Sequence, residues 1–141
     1  MVEGRVKEGL EKGFGITTLF PVQSAVIPLV LSGSDVLCRA ATGSGKTLCY
    51  ALAIAQSLTD RTVPRLRALV ITPTRDVAQQ VHGVLTTLFS NIPSQSSSDH
   101  LQSPQASNLP LKAMLLTPGV STTLQALQMS DVVVATPGKL M

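Results

Sequence analysis

Four short apolar runs punctuate the chain: "DVLCRA" (35–40), "RALVITP" (67–73), "LKAMLL" (111–116) and "DVVVATP" (131–137). Within them apolar residues follow one another with little polar alternation, the pattern of strands buried on both faces of a parallel sheet. The segments between them have helical spacing. "PVQSAVIPLVLSGSD" carries apolar residues from Val22 to Leu31 with a Gly-Ser-Asp exit, and "KTLCYALAIAQSLTD" is apolar over most of its surface. "TRDVAQQVHGVLTTLFSNI" opens on Thr74 as an N-cap and lines one face with Val77, Val81, Val84, Leu85 and Leu88, while "STTLQALQ" reads as a short helix. Strand and helix alternate throughout. The expected fold is α/β, a parallel β-sheet flanked by helices on both faces, with ligands at the carboxyl ends of the strands.

Composition supports one such domain. Of 141 residues, 44% are hydrophobic and 13% charged, enough to build a core. No apolar run approaches the ~18–20 residues that span a bilayer, and "MVEGRVKEGLEKGFG" is too charged for a leader peptide, so a soluble intracellular protein is expected. "PSQSSSDHLQSPQASNLP" (93–110) has no periodicity and reads as a flexible surface insertion. Cys38 and Cys49 lack metal-ligand spacing and read as reduced, buried thiols; His82 and His100 are isolated. The net charge of +3 permits an anionic partner, while three Phe, one Tyr and no Trp speak against recognising nucleic-acid bases on an aromatic platform. Nucleic acid, if bound, is expected to be held by its backbone.

The sharpest chemical signal is "AATGSGKT" (40–47), between an apolar run and a helix. The phosphate-loop template G-x-x-x-x-G-K-[ST] is met at Gly45, Lys46 and Thr47, with Ala40 in place of its first glycine. Gly43 and Gly45 let the backbone turn so that the amides of Ala41, Thr42, Gly43, Ser44 and Gly45 point at phosphate oxygens. The helix that follows adds its positive end. Lys46 is expected to reach the terminal phosphates and Thr47 to hold Mg²⁺ through its hydroxyl, which makes these two the catalytic candidates.

Taken with "PTRDVAQQ" and "TPGKLM" in this order, the loop makes the chain resemble a DEAD-box RNA helicase, specifically the first part of that family's N-terminal RecA-like domain. The family's own loop, A-x-T-G-x-G-K-T, accommodates Ala40. "GITTLFPVQ" is similar to the family's Q motif, and the resemblance makes Gln23 the reader of adenine, so that the nucleotide is ATP. A carboxamide can donate to N7 and accept from N6 of adenine. By the same resemblance Thr74, Arg75, Thr136, Gly138 and Lys139 touch the RNA backbone, with little sequence preference and strong salt sensitivity.

The chain departs from the family pattern in places. Asp76-Val77 replaces Glu-Leu, Lys139 replaces Arg, and Pro118-Gly119 stands where Gly-Gly is common. Val6 falls near the family's adenine-stacking aromatic position. "FPVQ" and the missing Gly-Gly resemble most a branch acting in large-ribosomal-subunit assembly, which implies a nuclear or nucleolar location. The family's Asp-Glu-x-Asp motif is not among the 141 residues, so little ATPase or unwinding activity is expected of this polypeptide by itself. A P-loop DNA translocase and a non-catalytic nucleotide-binding module are the alternatives.

Overall fold

A computed structural model of the chain describes residues 2, 4–61, 63–93, 110–119 and 123–141. The expected insertion at 93–110 lies, but for its two end residues, outside the described residues. The elements run α1 (Gly4–Phe14), α2 (Pro21–Leu31), α3 (Lys46–Leu58), β1 (Ala68–Ile71), α4 (Arg75–Asn91), β2 (Ala113–Leu116), α5 (Leu124–Gln128), β3 (Val132–Ala135) and α6 (Pro137–Leu140). Among the described residues no helix is long and apolar enough to cross a membrane.

The strands form a parallel sheet in the order β1-β3-β2. Ala68 and Ala113 both stand opposite Val132, and Ile71 and Leu116 both stand opposite Ala135, so the carboxyl ends are level. Central β3 is buried at all four positions, as its unbroken valine run predicts. One face of the sheet, with Val70, Val132, Val134 and Leu115, packs into a core shared with Leu10, Leu52, Val81, Leu85 and Leu88. On the other face Leu69 and Ile71 are about half exposed, at 50% and 57%. Helices on both faces were expected; the long helices α1, α3 and α4 enclose one core, and α5 and α6, of five and four residues, are too short to cover the second.

"DVLCRA" is a second departure. Residues 36–40 form no strand, Leu37 is fully exposed, and Cys38 is exposed rather than buried. A strand exists only through a ladder to its neighbour. The ladder of β1 is to β3, and no other described strand offers this segment a partner. Cys49 is buried as expected.

Helix α1 was not foreseen, because its charged residues conceal a two-residue apolar stripe. Val6 and Leu10, one turn apart, are both buried, while Glu8 and Lys12 pair at 2.6 Å on the outside. Gly9 sits where α1 crosses the end of α4: a Cβ there would stand 2.7 Å from Ile92 Cγ1 and 3.1 Å from Ile92 N. Gly9→Val is therefore expected to destabilise the chain by about 1–3 kcal/mol through overpacking. Gly4→Ala, with nothing within 4 Å, should be neutral. Urea midpoints of the two variants check this, and equal midpoints would refute the close packing of α1 on α4.

At the opposite end of the strands from Ile71 and Ala135, Asp131 gathers the connections. Its carboxylate, wholly buried, accepts from Arg61 Nε and from Lys112 N at 2.9 Å, and its backbone carbonyl accepts from Arg67 N at 2.9 Å and Ala68 N at 3.2 Å. Arg61 also donates to Pro110 O at 2.9 Å. Three strand starts are thus tied through one residue, by its side chain and its backbone carbonyl.

Candidate nucleotide-binding site

The glycine loop turns as its sequence requires. Gly43 and Gly45 have φ of +82° and +84°, the left-handed region that a Cβ disfavours. Gly45 is the N-cap of α3, so Lys46 and Thr47 are the first two residues of the helix. The loop is closed by Ser44 N donating to Ala41 O at 3.3 Å, and the helix begins with Leu48 N donating to Gly45 O at 3.1 Å. Ala41, Thr42 and Gly43 are exposed, and a Cβ on Gly43 would meet nothing within 4 Å.

Two features of this loop bear on a ligand. Lys46 Nζ folds back to donate to Ala40 O at 2.7 Å and Ala41 O at 2.6 Å, so the cation is already held over the loop. Ser44 Oγ is buried without a hydrogen-bond partner, and a buried hydroxyl in that state costs about 1–3 kcal/mol until something accepts or donates to it. An orphaned hydroxyl, a lysine and a helix N-terminus fit a phosphate group.

Gln23 is brought to the loop. It is 1% exposed. Its Oε1 accepts from Phe20 N at 2.8 Å, the returning half of a capping box, and its Nε2 donates to Gly45 O at 3.2 Å. Each end of the carboxamide is engaged once by backbone, which braces the loop and leaves a second N–H and a second lone pair. Cys49 Sγ donates to the same Gly45 oxygen at 3.7 Å; burial pushes this thiol above the usual range, so it stays protonated at neutral pH. Burial also pushes up the Tyr50 phenol, against a hydrogen bond with Thr47 that acts the other way. Val6 is core and out of reach of any ligand. Phe20 was not singled out in the sequence, yet its ring borders Gly45 and is half exposed.

The other predicted residues form a separate cluster at the level carboxyl ends of β1 and β3. Thr72 N donates to Ala135 O at 2.9 Å and Thr72 Oγ1 to Thr74 O at 3.3 Å, which sets the two following turns side by side. Thr74 is the N-cap of α4 and accepts from Val77 N at 3.4 Å, as its position predicts. Thr136, buried, is the N-cap of α6 and its side chain caps nothing. Arg75, Gly138 and Lys139 are exposed. Two helix starts, two hydroxyls and two exposed cations on one edge suit a phosphodiester backbone. Pro118-Gly119 forms a turn after β2 with Gly119 at φ +93°. A cavity of about 460 Å³ lined by Phe89, Met114 and Met129, among others, shares no residue with either cluster.

The chain as a whole is similar to known proteins. The DEAD/DEAH box helicase model matches residues 20–141. DEAD-box ATP-dependent RNA helicase 28 of Oryza sativa subsp. japonica is 37% identical over 125 residues, covering 85% of this chain and 14% of that protein. ATP-dependent RNA helicase DDX51 of Mus musculus is 37% identical over 141 residues, covering 89% of this chain and 21% of that protein. The ATP-dependent rRNA helicase spb4 of Sclerotinia sclerotiorum is 32% identical, with 92% and 23% covered. A crystal structure of a hypothetical ATP-dependent RNA helicase from Sulfolobus tokodaii superposes with a TM-score of 0.67 and 29% identity over 96% of this chain and 34% of that one. The chain thus spans a quarter or less of each of these three relatives and about a third of the solved chain. By the extent of that match and by its phosphate loop, this chain belongs to the DEAD/DEAH box helicase family.

Proposed function

We propose that the chain holds ATP by its phosphates and contributes part of an RNA-backbone track, as one section of an ATP-dependent RNA helicase. The observation that carries this is the glycine loop opening α3, with Lys46 over it and an unpartnered Ser44 hydroxyl inside it. On binding, Lys46 exchanges two carbonyl acceptors for phosphate oxygens, a charge-assisted and therefore stronger pairing. The loop amides and the start of α3 would orient the same oxygens, and the Thr47 hydroxyl, in the first turn of α3, would hold a Mg²⁺ ion that neutralises phosphate charge. The turns at Thr74–Arg75 and Thr136–Lys139 support RNA binding through the sugar–phosphate backbone. The relative named as an rRNA helicase supports ribosomal RNA as the substrate class, and with it a nucleolar place of action.

A titration of fluorescent ADP, competed by ATP and GTP, tests the nucleotide reading. ATP is expected to displace the probe. It should do so better than GTP, and Gln23→Ala should remove that preference while also weakening both nucleotides through loss of the brace on Gly45. Equal displacement by ATP and GTP in the unsubstituted chain would leave Gln23 only that brace, and absence of any binding would overturn the proposal.

A further inference from the structure

The amino ends of the strands carry more positive charge than the fold uses. Arg67 and Lys112 each stand one residue before a strand, and both are tied by backbone to Asp131. Arg67 N donates to its carbonyl and Lys112 N to its carboxylate, each at 2.9 Å. The two therefore lie in one row, with Asp131 between them, one position ahead of Ala68, Val132 and Ala113. Those three pack into the core, so alternation turns Arg67 and Lys112 toward the open face. Two strand spacings put their Cα atoms roughly 10 Å apart. Arg65 precedes them in the same connection, and all three side chains are exposed. The neighbouring carboxylates already have partners: Asp131 is buried against Arg61, and Asp60 pairs with Arg5 at 2.5 Å. Among the described residues, Arg65, Arg67 and Lys112 enter no ion pair and donate no side-chain hydrogen bond. Like charges gathered this way repel one another, a cost that an anionic partner removes.

We propose that Arg65, Arg67 and Lys112 form a second contact surface for the RNA backbone, at the end of the sheet opposite the Thr74–Arg75 and Thr136–Lys139 turns. The inference rests on the RNA-binding reading above and extends the path of the strand beyond that track. β1 has four residues, a length of roughly 13 Å, so one RNA can meet both ends of the sheet. Two of the three cations are arginines, whose planar fork matches a phosphate group. The exposed neighbours Val63 and Leu66 supply no aromatic ring, the residue type that anchors protein interfaces and stacks bases. Charge on the phosphates is what remains to be recognised, and the contact is indifferent to sequence.

The test follows binding of the 141-residue chain to a fluorescent oligouridine by anisotropy as salt is raised from roughly 50 to 200 mM. Arg65→Gln/Arg67→Gln/Lys112→Gln keeps every backbone N–H and removes three cations. At ~0.7 per phosphate contact on a single strand, its slope of log affinity on log salt should be about 2 shallower, so that it loses roughly twentyfold less affinity over that range. Arg65→Lys/Arg67→Lys/Lys112→Arg should keep the original slope, since the charges remain. Arg75→Gln/Lys139→Gln should lower the slope independently, by about 1.4. A slope lowered by Arg75→Gln/Lys139→Gln but unchanged in the triple glutamine variant would overturn the proposal and leave a solvated face. Unchanged oligouridine binding by that variant, with loss of binding to polyglutamate, would overturn it in favour of an acidic protein partner. Failure of the unsubstituted chain to bind oligouridine would instead overturn the RNA-binding reading beneath it.

Discussion

Gly45→Ala is expected to weaken ADP binding by roughly two orders of magnitude, while Gly43→Ala weakens it by only about fivefold. Both glycines have positive φ, so an alanine at either is strained by about 1 kcal/mol or more. What separates them is space. A Cβ on Gly43 meets nothing within 4 Å, whereas one on Gly45 would stand 2.4 Å from Gln23 Nε2, a distance no contact tolerates. Gln23 would have to leave its place, breaking the bond to the Gly45 carbonyl and the cap on Phe20 N together. The start of α3 then shifts, and with it the amides and Lys46. Calorimetric titration of the two variants decides the matter: equal losses would mean that backbone strain, not the Gln23 contact, shapes the loop.

Asp131→Ala should cost about 3–5 kcal/mol of folding stability, a large share of the ~5–15 kcal/mol that domains possess. The Arg61 side chain is 4% exposed and the Asp131 side chain wholly buried, so removing the carboxylate strands a desolvated guanidinium and leaves Lys112 N without its 2.9 Å acceptor. The double variant Arg61→Met/Asp131→Leu should recover much of that loss, since the charge is then gone with its counter-charge. Denaturant unfolding of the single and double variants measures both effects. Additive losses would show that the ion pair is incidental to how the strand starts are held.

How far the sequence revealed this molecule depends on the distance over which each contact acts. The strands at 68–71, 113–116 and 132–135 were legible because their burial is local information, written as consecutive apolar residues. The phosphate loop was legible because glycines needed for positive φ lie within a few positions of the lysine and threonine. Thr74 announced its helix for the same reason. The strand expected at 35–40 failed because an apolar run states what could be buried and not what is present to pair with it. Gln23 was found, but its hydrogen bond to Gly45, 22 residues away, was not, because only the fold brings the two together. Arg61 and Asp131 lie 70 residues apart and drew no notice, since separated charges of opposite sign are ordinary in a sequence and become a buried pair only through the fold. Phe20 passed as one of the few apolar residues before a helix, because exposure is not written in residue type.

The strand order carries a consequence for the way the chain comes together in time. β1 and β2 do not pair; each has its ladder with β3, which stands between them and is the last of the three described strands in chain order. During synthesis, therefore, α3, β1, α4 and β2 can gather as helices and collapsed segments, yet none of the pairings among the three described strands exists until Val132–Ala135 has left the ribosome. Pairing of these three strands is non-local and waits on β3, the regime in which folding is slow and partly formed states expose apolar surface. Nascent chains halted before Val132 should lack parallel-sheet protection in hydrogen exchange entirely, and acquire it in one step when those four residues are added.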